Sequence, residues 1–158
     1  MMFISIIITS LIQINTIYKP MNVDVVAYKI CQHESRFAKN RDTVIGDSKF
    51  KQNYSVGYCQ IRLKTAEWLV KRVFKPKSII ELKKWVIYKL FINLGTKKSL
   101  TIRYINFTIA KYYLSWLNKL HGGDWNKTII SYNTGYHAKR SVRNNAGKKY
   151  LYKVMAGL

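Results

Sequence analysis

Apolar residues recur at spacings of three and four along most of the chain, the period of amphipathic helices. From Asn22 to Phe37 the apolar positions are Val23, Val26, Ala27, Ile30 and Phe37, with Asn22 placed to cap the helix and Asp24 in its first turn. Glu34 falls on the same face, between Ile30 and Phe37. A carboxyl group there points at the apolar side of its helix, where loss of hydration raises its pKa and favours the protonated acid.

Residues 38–58 lose the helical period and contain Gly46, Asp47, Asn53 and Gly57, which predicts a loop or a short β-hairpin. The period resumes at Leu63 and runs through Ala66, Leu69, Val70, Val73 and Phe74 until Lys75-Pro76 ends it. Ser78 and Glu81 have the spacing of a capping box, opening a helix whose apolar positions Ile79, Leu82, Trp85, Val86 and Leu90 lead to Gly95. A longer helix is predicted from Thr101 to Leu120, with Ile102, Ile105, Ile109, Tyr113, Trp116 and Leu117 turned inward and Gly122-Gly123 at its end. Asp124 caps a short helix through Ile130, Tyr132 to Gly135 read as a turn, and Tyr150 to Met155 as a final short helix.

These elements predict a mostly α-helical chain with one small β or loop element after its first helix, undivided by any internal repeat or interdomain linker. A length of 158 residues suits one compact domain. The segment from Met1 to Ile17 stands apart. It is apolar but interrupted by Ser5, Thr9, Ser10, Gln13, Asn15 and Thr16, too short and broken for a membrane span. Its apolar stretch has the length of a signal peptide's, without a Lys or Arg ahead of it and without an Ala-x-Ala cleavage site; a buried first helix or strand is the other reading. Residues 1–20 are thus set apart as an apolar segment or signal peptide, and 21–158 as the domain.

Charge changes the picture. The chain carries 28 Lys+Arg against 7 Asp+Glu, a net +21, spread along its whole length. A hydrophobic fraction of 48% with 14% aromatic residues nevertheless supports a packed core rather than disorder. Such a surface favours acidic partners, although a composition biased to Lys, Ile and Asn produces the same excess with no partner at all. No zinc-finger spacing, zipper or aromatic single-strand-binding motif is present, so no specific nucleic acid is expected, whereas acidic cell-wall polymers fit. The two cysteines, Cys31 and Cys59, exclude a cysteine-rich scaffold and a four-cysteine zinc site. They form one disulfide in an exported protein or stand as two buried thiols. His33, His121 and His137 lack ligand spacing, so neither a metal nor a cofactor is expected.

Three patterns, in order, carry a resemblance that covers about Val25 to Met155. Glu34-Ser35 stands near the end of the first helix with Phe37 just beyond; Gly57-Tyr58-Cys59-Gln60-Ile61 leads into Thr65-Ala66; and Tyr132-Asn133-Thr134-Gly135 follows the last long helix. Between them lie Asn106-Phe107 and Tyr113-Leu114. The ordered set resembles the soluble lytic transglycosylases and goose-type lysozymes, with their Glu-Ser pair, Gly-x-x-Gln-Ile motif and Tyr-Asn-x-Gly motif. Cys59 stands where that family usually has Met or another large apolar residue, and Ala110 where it often has Gly.

The resemblance implies a lysozyme-like fold and peptidoglycan as substrate, with Glu34 as the catalytic residue. Cleaving a glycosidic bond requires protonating a weakly basic bridging oxygen, which asks for a carboxylic acid kept neutral near neutral pH. Gln60 and Asn133 offer amides to sugar hydroxyls and N-acetyl groups, and Tyr132 is expected to orient the carboxyl or stack on a sugar. Gly57 allows close backbone approach. Ser35 supports the Glu34 helix and is no nucleophile, since His33, two residues earlier, faces another way. In such transglycosylases the substrate's N-acetyl group stabilises the oxocarbenium ion, and the acid then takes the proton of the muramic acid C6 hydroxyl to leave a 1,6-anhydromuramyl end. A hydrolase would instead need a second carboxylate, from Asp42, Asp47 or Asp124. A third reading keeps the fold without activity, as a wall-binding module. The expected setting is a monomer in the periplasm or outside the cell, serving a secretion, conjugation or phage apparatus.

Overall fold

The computed structural model describes residues 21–35, 55–74 and 82–156. The segment 1–20, Phe37, Asp42, Asp47, the Lys75-Pro76 stop and the Ser78–Glu81 capping box lie outside them.

Helix α1 spans Val23–Ser35 and buries Val26, Ala27, Ile30 and Cys31. Asn22 starts it as its sequence position suggests, its side-chain oxygen accepting the Val25 N–H at 2.9 Å. Strands β1 (Ser55–Val56) and β2 (Ile61–Arg62) form an antiparallel hairpin, Ser55 opposite Arg62 and Val56 opposite Ile61. Helix α2 (Leu63–Leu69) follows directly and widens into a π-helical turn over Val70–Phe74. Then come α3 (Leu82–Leu94), α4 (Thr96–Thr101) and the long α5 (Arg103–Leu120). The chain ends with α6 (Trp125–Thr134), the short α7 (Arg140–Val142), a second π-helical turn (Arg143–Gly147) and α8 (Lys148–Met155). The fold is mostly α, lysozyme-like, with one two-stranded sheet after the first helix.

Three boundaries differ from the pattern reading. Ile102 takes an extended conformation (ψ 111°) and divides the predicted Thr101–Leu120 helix into α4 and α5; its side chain is exposed, not inward. In α3 the inward residues are Ile87 and Phe91, while Trp85 and Val86 are exposed. That segment, Leu82–Leu94, is apolar on nearly every side, so spacing alone does not fix its inner face. Tyr132 to Thr134 are the last turn of α6, not a turn after it; Gly135 stops the helix with φ 88°, its N–H donating to the Ser131 carbonyl at 2.9 Å.

Helix α5 packs on α1, α4 and α6 and separates two apolar clusters. One gathers Val56, Cys59, Ile61, Leu69, Ile87, Phe91 and Ile109 around the hairpin and α2 to α4; the other joins Ile30, Leu114, Ile129, Tyr150 and Val154 from α1, α5, α6 and α8. Phe107 packs against both.

A single buried amide ties the hairpin to this frame. Asn106 on α5 has no exposed surface. Its Oδ1 accepts the Cys59 N–H at 2.8 Å, and its Nδ2 donates to the carbonyls of Val56 at 2.8 Å and Leu100 at 2.9 Å. Each partner is a backbone group of a buried residue, and leaving such a group unpaired costs about 1–3 kcal/mol. Gly57, at φ +79°, sits where any Cβ would run into the Leu100 carbonyl oxygen and the Asn106 amide. Asn106→Ala is therefore expected to lower unfolding free energy by about 3 kcal/mol in a denaturant titration; a change within about 0.5 kcal/mol, the range of ordinary surface substitutions, would remove Asn106 as the tie.

Candidate active site

A cleft of about 850 Å³ opens where α1, the hairpin, α2, α5 and α6 meet. Glu34, Gln60, Tyr132 and Asn133, three motifs far apart in sequence, all line it. Ser35 and Gly57 do not. Ser35 is buried, its hydroxyl donating to the Gln32 carbonyl at 3.2 Å, which fits helix support rather than sugar contact. Gly57 is buried beneath the cleft, where its lack of a side chain lets the turn approach Asn106.

Glu34 is half-buried at the last turn of α1. Its Oε1 accepts the Tyr150 hydroxyl at 2.7 Å, a bond from the far end of the chain that pattern reading did not anticipate. Burial pushes the Glu34 carboxyl above the ordinary glutamate range, and the Tyr150 bond, which favours the charged form, offsets only part of it. The Tyr150 phenol is itself held well above its usual range by burial and then by the neighbouring Glu34 charge, so it stays a donor. The orienting role expected of Tyr132 is filled by Tyr150: the Tyr132 hydroxyl donates to the Cys59 carbonyl at 2.8 Å instead. In the sequence Tyr150 was legible only as the first residue of the last predicted helix.

Gln60 is held in the left-handed region at φ 50°, a conformation that costs a residue with a Cβ about 1 kcal/mol or more. Its backbone N–H and its side-chain Nε2 both bond the Gly57 carbonyl, at 3.0 and 2.9 Å. Next to it, Cys59 is disulfide-bonded to Cys31 of α1, which resolves the open choice between a bridge and two thiols. The bridge joins the helix that carries Glu34 to the turn that carries Gln60. Closing a loop with a sequence separation of 28 restricts the unfolded chain by about 3–4 kcal/mol on the loop-entropy account.

An aromatic row continues from Tyr132 along the cleft. Tyr113 packs on Tyr132 with ring centroids 5.6 Å apart and stacks on Trp116 at 5.9 Å; Trp116 meets Trp68 edge-on at 4.7 Å and Tyr136 at 5.6 Å. Tyr113 and Trp116, whose spacing reads as the buried face of α5, thus present ring surface to the cleft. Trp68 and Tyr136 gave no separate signal, although each lies within three residues of a motif, after Thr65-Ala66 and Gly135. Flat apolar rings backed by one another suit the faces of sugar rings.

Among the described residues, Glu34 is the one carboxylate lining the cleft. Asp124 caps α6, accepting the Lys127 N–H at 3.0 Å, and its carboxyl is held below the usual range mainly by that bond.

The described residues thus form a mostly helical, lysozyme-like frame in which a half-buried glutamate shares a cleft with amides and aromatic rings. The transglycosylase SLT domain family matches residues 12–155, and the chain belongs to that family. The proteins of that family are in general peptidoglycan lytic transglycosylases. No curated protein and no solved structure matches the chain.

The Glu34 environment has a consequence for stability. Below the unfolded pKa, about 4.3, folded and unfolded chains both hold the proton; between that pH and the raised folded pKa, only the unfolded chain ionises, so stability falls as pH rises. Glu34→Gln removes this loss. The variant is expected to melt above wild type at about pH 7, with the difference shrinking toward zero near pH 3, by calorimetry. Equal melting temperatures at both pH values would contradict a buried, proton-holding carboxyl.

Proposed function

We propose that the protein is a lytic transglycosylase that cleaves the β-1,4 bond between N-acetylmuramic acid and N-acetylglucosamine in peptidoglycan, with Glu34 as acid and then base. The observation that carries this reading is the buried Glu34 carboxyl, oriented by Tyr150 in the cleft that Gln60 and Asn133 share. A neutral Glu34 gives its proton to the bridging oxygen as the bond breaks. The substrate's own N-acetyl oxygen stabilises the oxocarbenium ion, so no second protein carboxylate is required. The resulting Glu34 carboxylate, with Tyr150 donating to it, takes the C6 hydroxyl proton of the same muramic acid. That oxygen closes on C1, giving a 1,6-anhydro end without water and returning Glu34 to its acid form.

The amides of Gln60 and Asn133 hold hydroxyl and N-acetyl groups, and the aromatic row from Tyr132 to Trp68 packs against ring faces. Tyr150 is a positioning residue. Export to the periplasm or the cell exterior follows from the substrate, and the buried Cys31–Cys59 bridge suits an oxidising compartment.

The competing hydrolytic reading needs a second acid to direct water. The engagement of Asp124 as the α6 cap weighs against it, and Asp42 and Asp47 lie outside the described residues. Mass spectrometry of peptidoglycan digested by the protein is expected to show 1,6-anhydromuramyl ends, and Glu34→Gln to lower their formation by about 10²–10⁴-fold. Reducing ends alone would establish a hydrolase, and an inert wild type that still binds the wall would establish a binding module.

A further inference from the structure

The cleft holds two cations whose use the cleavage reaction does not explain. Arg62 at the end of β2 and Lys64 in the first turn of α2 line it beside Thr65. Both side chains are exposed. The ion pairs among the described residues, Lys111–Asp24 and Lys127–Asp124, involve neither. Arg62 lies close enough to Tyr113 for its charge to counter part of the rise that burial imposes on that phenol, which puts the guanidinium on the aromatic side of the cleft. With Glu34 favouring its neutral form, a ligand in this region meets positive charge without a fixed counter-charge among the described residues.

The sugar rings and N-acetyl groups of the glycan carry no ionised group for these cations to meet, and the lactyl carboxyl of muramic acid is held as an amide wherever a peptide is attached. The muramic acid rings do carry one chemistry that fits: a lactyl-linked peptide whose free carboxylates extend away from the ring, toward the rim of whatever cleft holds the strand. Guanidinium and ammonium groups bind carboxylates through charge-assisted hydrogen bonds, which are stronger where a cleft wall excludes part of the water.

We propose that Arg62 and Lys64 form a subsite for the carboxylates of the peptide stems, so that the protein binds glycan strands whose stems keep free carboxylates in preference to strands whose stem carboxylates are blocked. This deepens the transglycosylase reading and rests on its placement of the glycan in the cleft. It differs from a general effect of the +21 net charge, because it assigns the preference to two positions.

Labelled peptide-bearing glycan strands, with their stem carboxylates free or blocked as neutral amides, titrated against the Glu34→Gln chain, separate these accounts; wild type digests the same strands in parallel. Strands with free stem carboxylates are expected to bind roughly three- to tenfold tighter, with a preference that salt weakens. Arg62→Ala with Lys64→Ala in the same background brings the ratio near one, whereas Lys148→Ala with Lys149→Ala, which removes equal charge from exposed positions of α8, preserves it. Equal binding of the two strand types by the parent, or equal loss of preference in both double variants, overturns the subsite. Failure of wild type to cut either strand counts against the proposed reaction alone, since the binding ratio is read without cleavage.

Discussion

A carboxyl group taken partly out of water, with a phenol as its hydrogen-bond donor, is the constraint that the cleft is arranged around. Burial favours the neutral form of Glu34, while the Tyr150 hydroxyl favours the charged one, and burial wins. The opposition is useful for a group proposed to give up a proton and take one back. Burial without a donor would strand the carboxylate formed on proton transfer; a donor without burial would leave it ionised before substrate arrives. Because the two partners come from α1 and α8, at opposite ends of the described chain, the balance exists only when the whole helical frame is closed around α5.

The turn from Gly57 to Gln60 faces the same requirement for placement by other means. Two backbone groups of Cys59 are fixed by side chains from other helices, the N–H by Asn106 on α5 and the carbonyl by Tyr132 on α6. The Cys59 side chain is fixed to Cys31 on α1. Three helices thus hold one residue, and the next, Gln60, keeps a left-handed backbone that a looser turn would relax. Cys59 replaces the larger apolar residue usual at this motif position, and a covalent bond to the helix bearing Glu34 takes over from side-chain bulk there. Nothing comparable compensates Ala110, which is simply buried with no exposed surface on α5.

Much of this was legible in the chain because motif chemistry and helical period agree. The Asn22 cap, the apolar face that carries Glu34 and the Asp124 cap follow from local rules that tertiary contacts did not override, whereas the hairpin, expected within 38–58, has its second strand at Ile61–Arg62, beyond that span. The inner face of α3 was not legible, since Trp85, Val86, Ile87, Leu90 and Phe91 leave no polar side to mark the period. Nor was the division at Ile102, where the backbone turns without a Gly or Pro to announce it. At the cleft, the residues with a polar signature at a motif position were visible: Glu34, Gln60 and Asn133. Tyr113 and Trp116, whose rings line the cleft, were read as core, because an aromatic at helical spacing looks the same whether its ring faces protein or an open cleft. Tyr150 belongs to both classes, packing in a core cluster while its hydroxyl reaches the carboxyl.

A proton held by burial is the claim on which the proposed chemistry stands, and it can be read from the carboxyl carbon itself. Carbon-13 NMR titration of the side-chain carboxyl of Glu34, assigned by comparison with Glu34→Gln, follows protonation in the free protein without reference to turnover. The midpoint is expected above the ordinary glutamate value of about 4.3. A Glu34 midpoint at or below that value would contradict the proposal.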